Sequence, residues 1–350
     1  MIAESRILVF FASWSLSGSR PMRARFVVLH TRFGPKRVRC TEPLFFLPFT
    51  EPPLIVFVHG MGLEGERDGR AERVCESLAS AGYRVLAPRI DEVAALRFGG
   101  RSIDEIEAVV EAAADDRALS FDGRVAVAAV SFSGAAALIA CSRASLRDRV
   151  SGALLLGTYC DVRLCVEQLL TTARDDYGRL IAIMNFLRFS DENSPAVDSA
   201  ILKMCEDNVA GRPEQTRINH LRSLAPNEGA LLLELLTSVA ARKALLGRAL
   251  AKTPDLWGLL DLAPALPHLR FPIAVMHGAS DEVIDVAQAH LLAASLAAHG
   301  HPHRLCITSW IDHGTPRGLL GTGLSILGVA EVIRYFFRAI DRRFPRHSRS

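Results

Sequence analysis

The segment Arg124–Cys141 constrains the fold of this chain more than any other, and it reads RVAVAAVSFSGAAALIAC. Its small apolar residues up to Val130 are typical of a buried parallel strand. The Ala-rich stretch Gly134–Ala140 predicts a buried helix. Because only Ser131–Ser133 lie between the two, the chain must bend sharply with small residues on either side. A serine at the tip of such a bend is exposed with a helix N-terminus behind it, so the pattern predicts a nucleophile elbow.

Two serines fit this elbow. If Ser131 is the nucleophile, its small neighbours are Ala129 and Ser133; if Ser133 is the nucleophile, they are Ser131 and Ala135. Ser131 is favoured because Gly134 then stands three residues later, where the helix must pass closest to its neighbour, and because the strand then has a usual length. Ser133 is kept as the alternative nucleophile. Taken alone, the segment also fits a strand–helix junction without chemistry.

Composition limits the class of protein. A chain of 350 residues holds one large domain with an insertion or two small domains, and a hydrophobic fraction of 49% supports a substantial core. The net charge of +3 comes with scattered arginines, so no nucleic-acid partner is expected. The seven cysteines are odd in number and lack CxxC spacing. They are therefore interpreted as buried apolar residues in a reducing compartment, with no metal site and no organic cofactor expected.

Residues 1–24 are expected to form an N-terminal segment, disordered or weakly signal-like. The apolar run Ile7–Trp14 follows Arg6 as in a signal peptide, but Glu4 interrupts the charged region and the run is short. It is also too short to cross a bilayer, and no integral membrane span is expected elsewhere. The expected localisation is cytoplasmic, with export left open. Residues 342–350 are expected to be a basic tail.

Strands and helices alternate through most of the chain, which predicts a mostly parallel sheet with helices on both faces. The alternation stops at about Cys160 and resumes after Pro264. Between them, helical periodicity dominates at 162–170, 177–189, 195–205 and 228–250. The sequence therefore predicts an α/β core of residues 25–159 and 265–341, with residues 160–264 as an all-helical cap over the site.

Four candidate groups each follow a predicted strand directly: the His59 loop, the elbow serine, Asp281 and His313. In parallel sheets, ligands bind at the carboxyl ends of the strands. Groups that are far apart in sequence are therefore expected to meet at one edge of the sheet. Asp285 and Asp312 compete with Asp281, but Asp285 is interpreted as a helix cap, and Asp312, as the residue adjacent to His313, is expected to point away from it. The histidines at 299, 301 and 303 precede the last strand and are expected at the opposite edge.

These motifs together resemble the α/β-hydrolase fold family over nearly the whole chain. The elbow, an HG-x-G loop at His59, an HG-x-x-D turn ending at Asp281 and a late histidine are all present, in the family's order of Ser, Asp and His. A narrower resemblance is to poorly characterised bacterial hydrolases with an SF-small-G elbow and a helical cap, which the stretch Asp176–Phe189 resembles. The chain departs from the family at Ala129 and Ser133, where glycine is usual, and at Asp285, where proline is common.

The resemblance implies a serine nucleophile assisted by two partners. A free serine hydroxyl is a poor nucleophile, so Ser131 needs a base within hydrogen-bond reach, and His313 is the candidate. Asp281 would hold the imidazole in the correct tautomer and stabilise the imidazolium. The family pattern also makes the backbone N–H groups of Met61 and Phe132 candidates for the oxyanion hole.

His59 is expected to order the oxyanion loop through a backbone hydrogen bond, together with Gly60 and Gly62, and to take no part in proton transfer. The predicted function is a serine hydrolase that cleaves a small-molecule carboxylic ester or thioester with a hydrophobic moiety, through an acyl-serine intermediate. Two alternatives remain open: an acyltransferase that uses the same triad, and a catalytically silent protein that binds a lipid or a partner. The sequence leaves the substrate and the oligomeric state undetermined.

Overall fold

The computed structural model describes residues 2–15, 23–43, 51–172, 175–212, 214–253, 255–311 and 325–341. Its centre is an eight-stranded sheet with the strand order β1-β2-β4-β3-β5-β6-β7-β8. The first two strands form an antiparallel hairpin that pairs antiparallel with β4, and the remaining neighbours are parallel. The strands are β1 Arg23–Thr31, β2 Gly34–Glu42, β3 Leu54–Val58, β4 Arg84–Ala87, β5 Val125–Val130, β6 Val150–Leu156, β7 Ile273–Gly278 and β8 His303–Thr308.

Helices cover both faces of this sheet. The central strands β3 and β6 are buried along their whole length, which explains their unbroken apolar sequences. The described helices are α1 Ile2–Ser15, α2 Gly69–Ser80, α3 Asp91–Ala94, α4 Arg101–Asp115, α5 Phe132–Ser142, α6 Val162–Thr171, α7 Asp176–Leu187, α8 Pro195–Val209, α9 Glu214–Arg222, α10 Pro226–Thr237, α11 Val239–Lys252, α12 Leu256–Leu260, α13 Ala287–Ala298 and α14 Ser325–Asp341.

Two hydrophobic clusters hold these layers together, one on each face. The larger cluster contains side chains of α4, α5 and α13 and continues into the helices that follow β6. The smaller cluster joins α1, α2 and α14 on the opposite face. Because β5 contributes alternate residues to each cluster, the serine that follows it stands at the end of a strand that is covered on both faces.

The N-terminal segment contains a helix that packs on the core. Phe10 and Trp14 of α1 are buried. The ring centroids of Trp14 and Trp310, which lies just after β8, are 5.0 Å apart. Arg6 adds an ion pair of 2.7 Å to Asp341 in α14. The sequence does not predict this packing, because the partners of α1 lie at the other end of the chain. An export function of the same apolar run stays a prediction.

Seven helices, α6 to α12, connect β6 to β7, and the described residues of this connection contain no strand. Residues 228–250, expected as one helix, form α10 and α11. The break falls at Ser238, whose backbone is extended and whose Oγ accepts the Ala241 N–H at 3.2 Å. We call this segment, residues 160–264, the insert. No helix in the described ranges is long and apolar enough to cross a membrane.

Candidate active site

Ser131 occupies the sharp turn between β5 and α5. Its φ of +58° and ψ of −139° are unusual for a residue with a side chain, and such backbone strain costs about 1–3 kcal/mol. Two hydrogen bonds hold the turn: the Ser131 N–H donates to the Leu156 carbonyl at 2.7 Å, and the Gly134 N–H donates to the Ser131 carbonyl at 3.0 Å. Ser131 is half-buried and lines a cavity. The serine at the tip is therefore the one that the sequence favours.

Ser133 has a different environment. It lies in the first turn of α5, is fully buried, and its Oγ has no hydrogen-bond partner within the described part of the chain. Gly134, the next residue, lies where α5 passes close to the loop after β6. A Cβ at Gly134 would lie 2.4 Å from Oγ1 and 2.6 Å from Cβ of Thr158. This position supports the argument for the Ser131 register. The nucleophilic role of either serine stays a prediction.

His59 holds the loop that follows β3. Its Nε2 accepts the Ile90 N–H at 3.0 Å, so Nδ1 must carry the proton that is donated to the Gly60 carbonyl at 2.8 Å. Burial lowers the pKa of the His59 imidazole and keeps it neutral. Both ring nitrogens are thus occupied by backbone groups. This arrangement agrees with a loop-ordering histidine that exchanges no proton with a substrate.

The loop then passes directly beside the elbow. A Cβ at Gly60 would lie 3.3 Å from the Ser131 Cβ and 3.6 Å from the Val130 carbonyl oxygen. A glycine at this position therefore lets the loop backbone run close to the elbow. Met61 and Phe132 both line the cavity next to Ser131. Phe132 is the first residue of α5, where backbone N–H groups have no partner within the helix and favour negative charge. Their function as oxyanion donors stays a prediction.

Asp281 lies in the turn after β7 with its side chain wholly buried. Its Oδ1 accepts the N–H groups of Val283 and Ile284, both at 2.9 Å. His277 completes the turn: its Nε2 donates to the Ile284 carbonyl at 2.8 Å and lies 3.4 Å from the Asp281 Oδ2. The turn therefore fixes the direction of the carboxylate. In the sequence, His277 is recognisable as the first residue of the HG-x-x-D motif.

The rival carboxylate Asp285 is used differently, since its Oδ1 accepts the Ala287 N–H at 2.8 Å at the start of α13. Asp312 and His313 lie outside the described residues, so the predicted pairing of His313 with Asp281 stays a prediction. Of the competing histidines, His303 is the first residue of β8, at the end of the strand opposite to that of the elbow.

A cavity of about 1020 Å³ lies above the elbow. Loops of the core and helices of the insert both form its walls, and α1 adds Trp14. On its insert side, apolar and aromatic side chains stand beside two polar ones, with Cys165, Leu169, Tyr177, Ile181 and Val209 in the first group and Asp175 and Asn208 in the second. Burial raises the pKa of the Cys165 thiol to about 12, so this thiol is not a rival nucleophile near neutral pH. Within the described ranges, no three histidine, cysteine or carboxylate groups converge as a metal site requires.

Three residues around the cavity were not predicted from the sequence. Trp14 comes from the N-terminal helix. Phe98 lies in the loop before α4 and stacks on Phe132, with ring centroids 4.8 Å apart and an angle of 18° between the rings. Tyr177 comes from the first turn of α7. Only Tyr177 had a sequence signal, because it belongs to the stretch that resembles a known cap.

No protein-family model matches the sequence, and no curated protein matches it. The described structure is similar to solved structures. Acylaminoacyl peptidase of Pyrococcus horikoshii aligns over 91% of this chain and 42% of its own, with a TM-score of 0.53 and 12% identity. A puromycin-hydrolyzing peptidase of Mycobacterium tuberculosis aligns over 91% of this chain and 39% of its own, with a TM-score of 0.52 and 17% identity.

An esterase of Pyrococcus furiosus aligns over 91% of this chain and 92% of its own, with a TM-score of 0.50 and 11% identity. The chain thus spans less than half the length of the two peptidases and nearly all of the esterase. Together with the strand order, this similarity shows that the chain has the α/β-hydrolase fold, as the sequence predicts. At these identities the similarity carries the fold and not the activity.

Proposed function

We propose that this protein is a serine hydrolase in which Ser131 is the nucleophile. The observation that carries the proposal is the strained turn at Ser131, which holds the hydroxyl at the base of a cavity and next to the N-terminus of α5. Strain of this kind persists only where the surrounding structure enforces it, and it concentrates at functional sites. A structural junction would be equally well served by a relaxed turn.

The proposed reaction has two steps. Ser131 Oγ attacks a carbonyl carbon while His313 takes its proton, and Asp281 stabilises the imidazolium that forms. The negative charge that develops on the carbonyl oxygen is stabilised by the N–H groups of Met61 and Phe132. His313 then returns the proton to the leaving group, and water hydrolyses the acyl-serine by the same route. An alcohol or thiol in place of that water would make the enzyme an acyltransferase.

The apolar and aromatic side chains on the insert side of the cavity support a hydrophobic acyl or alcohol part in the substrate. An ester or thioester is the first candidate, because its leaving group departs more easily than an amine. An amide or peptide bond is the second candidate. It is favoured by the likeness of fold to two peptidases, although the chain spans less than half of either.

Labelling with a fluorophosphonate probe tests the nucleophile. The purified protein should gain the mass of one phosphonyl group, Ser131→Ala should gain none, and Ser133→Ala should react like the parent. The two serines are two residues apart in one turn, so Ser133→Ala is a matched control for folding. Label on Ser131→Ala but not on Ser133→Ala would assign the alternative nucleophile. A folded parent protein that is never labelled would favour the catalytically silent binding protein.

Substrates with a common acyl group separate the bond types. Hydrolysis of an acyl p-nitrophenyl ester and of the matching acyl p-nitroanilide is compared for acyl chains of increasing length. We expect kcat/KM for the esters to exceed that for the anilides and to rise with chain length. Equal or greater values for anilides with an aminoacyl group would replace the ester by a peptide-like substrate. Acyl transfer to an added alcohol, in preference to water, would indicate the acyltransferase.

A further inference from the structure

The first turn of α7 contacts the loop that carries one of the proposed oxyanion donors. The Tyr177 hydroxyl donates to the Met61 carbonyl oxygen at 3.3 Å. Burial raises the pKa of the Tyr177 phenol, so the hydroxyl keeps its proton and acts as a donor. A side chain of the insert is thereby bonded to the backbone of the core beside Ser131.

The Tyr177 hydroxyl and the His59 ring bond neighbouring carbonyl groups of the same loop. Because the peptide group is planar and trans, the bond from His59 to the Gly60 carbonyl fixes the plane that also contains the Met61 N–H. The bond from Tyr177 to the Met61 carbonyl fixes the next plane. Two successive peptide groups of the loop are therefore held, the first by the core and the second by the insert.

The helix that carries Tyr177 is also packed against the turn that contains Asp281. The Gly178 N–H donates to the Asp175 carboxylate at 2.6 Å, which caps α7. A Cβ at Gly178 would lie 3.2 Å from the Val283 Cγ1 and 2.8 Å from the Leu169 Cδ2. The first turn of α7 thus lies in close contact with the turn that contains Asp281.

The other end of α7 is anchored on the loop before α4. Asn185 is buried, donates to the Leu96 carbonyl at 2.7 Å and accepts the Phe98 N–H at 2.8 Å. Phe98 in turn stacks on Phe132, whose N–H is the second proposed oxyanion donor. The helix is therefore fixed to the core at both ends, and it provides a rigid support for the Tyr177 side chain.

We infer that Tyr177 is a positioning residue for the oxyanion hole, and that α7 is a fixed part of the active site and not a mobile lid. The mechanistic part of this inference rests on the proposed hydrolase function. The Tyr177 hydroxyl holds the Met61–Gly62 peptide, which keeps the Met61 N–H directed at the position of the developing oxyanion. Preorganised donors stabilise the transition state because they need no reorganisation during the reaction.

Amide hydrogen exchange tests the positioning itself and needs no activity. Tyr177→Phe removes only the hydroxyl, and amide exchange in the peptide that covers residues 59–66 should accelerate about fivefold, the factor that matches one average hydrogen bond. Tyr83→Phe is the matched control: Tyr83 is also buried, belongs to the cluster on the other face of the sheet, and its hydroxyl lies 3.4 Å from the Asp341 Oδ1. Equal exchange in this peptide for both variants would overturn the inference.

Kinetics on a short acyl ester tests the consequence for catalysis. We expect Tyr177→Phe to lower kcat about fivefold to tenfold with KM nearly unchanged, and Tyr83→Phe to leave both unchanged. A higher KM with an unchanged kcat would make Tyr177 a pocket wall and overturn the positioning role. If the parent protein is neither labelled nor active, the hydrolase proposal fails, while the exchange experiment still decides whether Tyr177 orders the loop.

Discussion

The core and the insert both surround the cavity, but different forces hold them. In the core, strand ladders and buried backbone hydrogen bonds fix the side chains, as for His59 between Ile90 and Gly60. In the insert, α7 is similarly buried, whereas α9 has no buried residue in the described structure. The insert thus has an inner part, α7, that is buried like the core, and an outer part, α9 to α11, with fewer buried side chains.

Ion pairs contribute to the attachment of the outer part, in addition to leucines that pack on the larger hydrophobic cluster. Asp207 of α8 bonds His220 of α9 at 2.7 Å and Arg212 at 2.8 Å, and Arg217 bonds Asp176 at 2.6 Å. Asp207 is buried, whereas its partners and the Arg217–Asp176 pair are partly exposed, and partly exposed pairs weaken with salt and with protonation of the carboxylate. Segments with few buried contacts open locally at low free-energy cost. Substitutions should therefore be severe beside the elbow and mild at the exposed positions of α9 to α11.

The largest expected effect is a methyl group added at the elbow. Gly134→Ala places a Cβ within 2.6 Å of the Thr158 Cβ, and both residues are buried, so the free energy of unfolding should fall by about 1–3 kcal/mol. Urea unfolding followed by circular dichroism measures this loss. A loss below about 0.5 kcal/mol would mean that the elbow can yield, and the contrast with the insert would fail.

The elbow was predictable because its signal is local. A strand, a bend and a helix lie within Arg124–Cys141, and burial on both faces leaves an apolar pattern in the sequence of each central strand. The choice of Ser131 over Ser133 also rested on a local spacing to Gly134. In parallel sheets, such local signals imply a shared edge for the site, so the sequence also predicts Asp281 at the edge that carries the elbow, and its catalytic role stays a prediction.

The remaining features depend on contacts between distant segments. Helix α1 packs on Trp310 and on α14, whose Asp341 is 335 residues from Arg6. Tyr177 reaches the site only through the way the insert folds back onto the core, and Phe98 reaches it from the core loop before α4. The sequence does not predict the break at Ser238, because apolar periodicity continues across it, although serine is a good helix cap. Pattern alone does not contain this information.

The second effect is a pH dependence that belongs to the core. Burial holds the pKa of His59 below about 6.5, its usual value, with Arg89 and Lys36 adding to the shift and Glu66 opposing it. The unfolded chain therefore takes up a proton as the pH falls below 6.5, while the folded chain does not. Stability from neutral His59 is fully present above 6.5 and is lost below it, by up to about 1.4 kcal/mol per pH unit.

Urea unfolding of the parent and of His59→Gln at pH 8, 6 and 5 measures this dependence. The parent should be the more stable protein at pH 8, and the difference between the two should narrow as the pH falls. A difference that stays constant would show that His59 is protonated in the folded protein, and the neutral tautomer assigned from its two hydrogen bonds would be wrong.

The third effect has the opposite sign and belongs to the insert. Gly247 lies inside α11, is exposed, and a Cβ there would meet nothing within 4 Å. Gly247→Ala should therefore raise the free energy of unfolding by about 0.5–1 kcal/mol, because alanine has the higher helix propensity. The measurement is the urea unfolding used for Gly134→Ala. A loss of stability at Gly247 would show that the outer insert is as tightly packed as the elbow.

The smallest expected effect is a pH dependence in the outer insert, at a lower pH than the one caused by His59 in the core. The hydrogen bond from His220 is the leading cause that lowers the pKa of Asp207, so its stabilising contribution is present above about 3.9, the usual value, and is lost as the pH falls through the lowered pKa. Amide exchange in residues 207–222, corrected for the intrinsic rate, should therefore accelerate below about pH 4 in the parent. Asp207→Asn should show faster exchange already at pH 6 and no acid step.

Glu192→Gln is the matched control, because its partner Arg248 lies 3.1 Å away and both side chains are about half exposed. Since the contribution of neutral His59 is lost as the pH falls below about 6.5, an acid step of α9 that begins there would show that the outer insert opens together with the core and is not held separately.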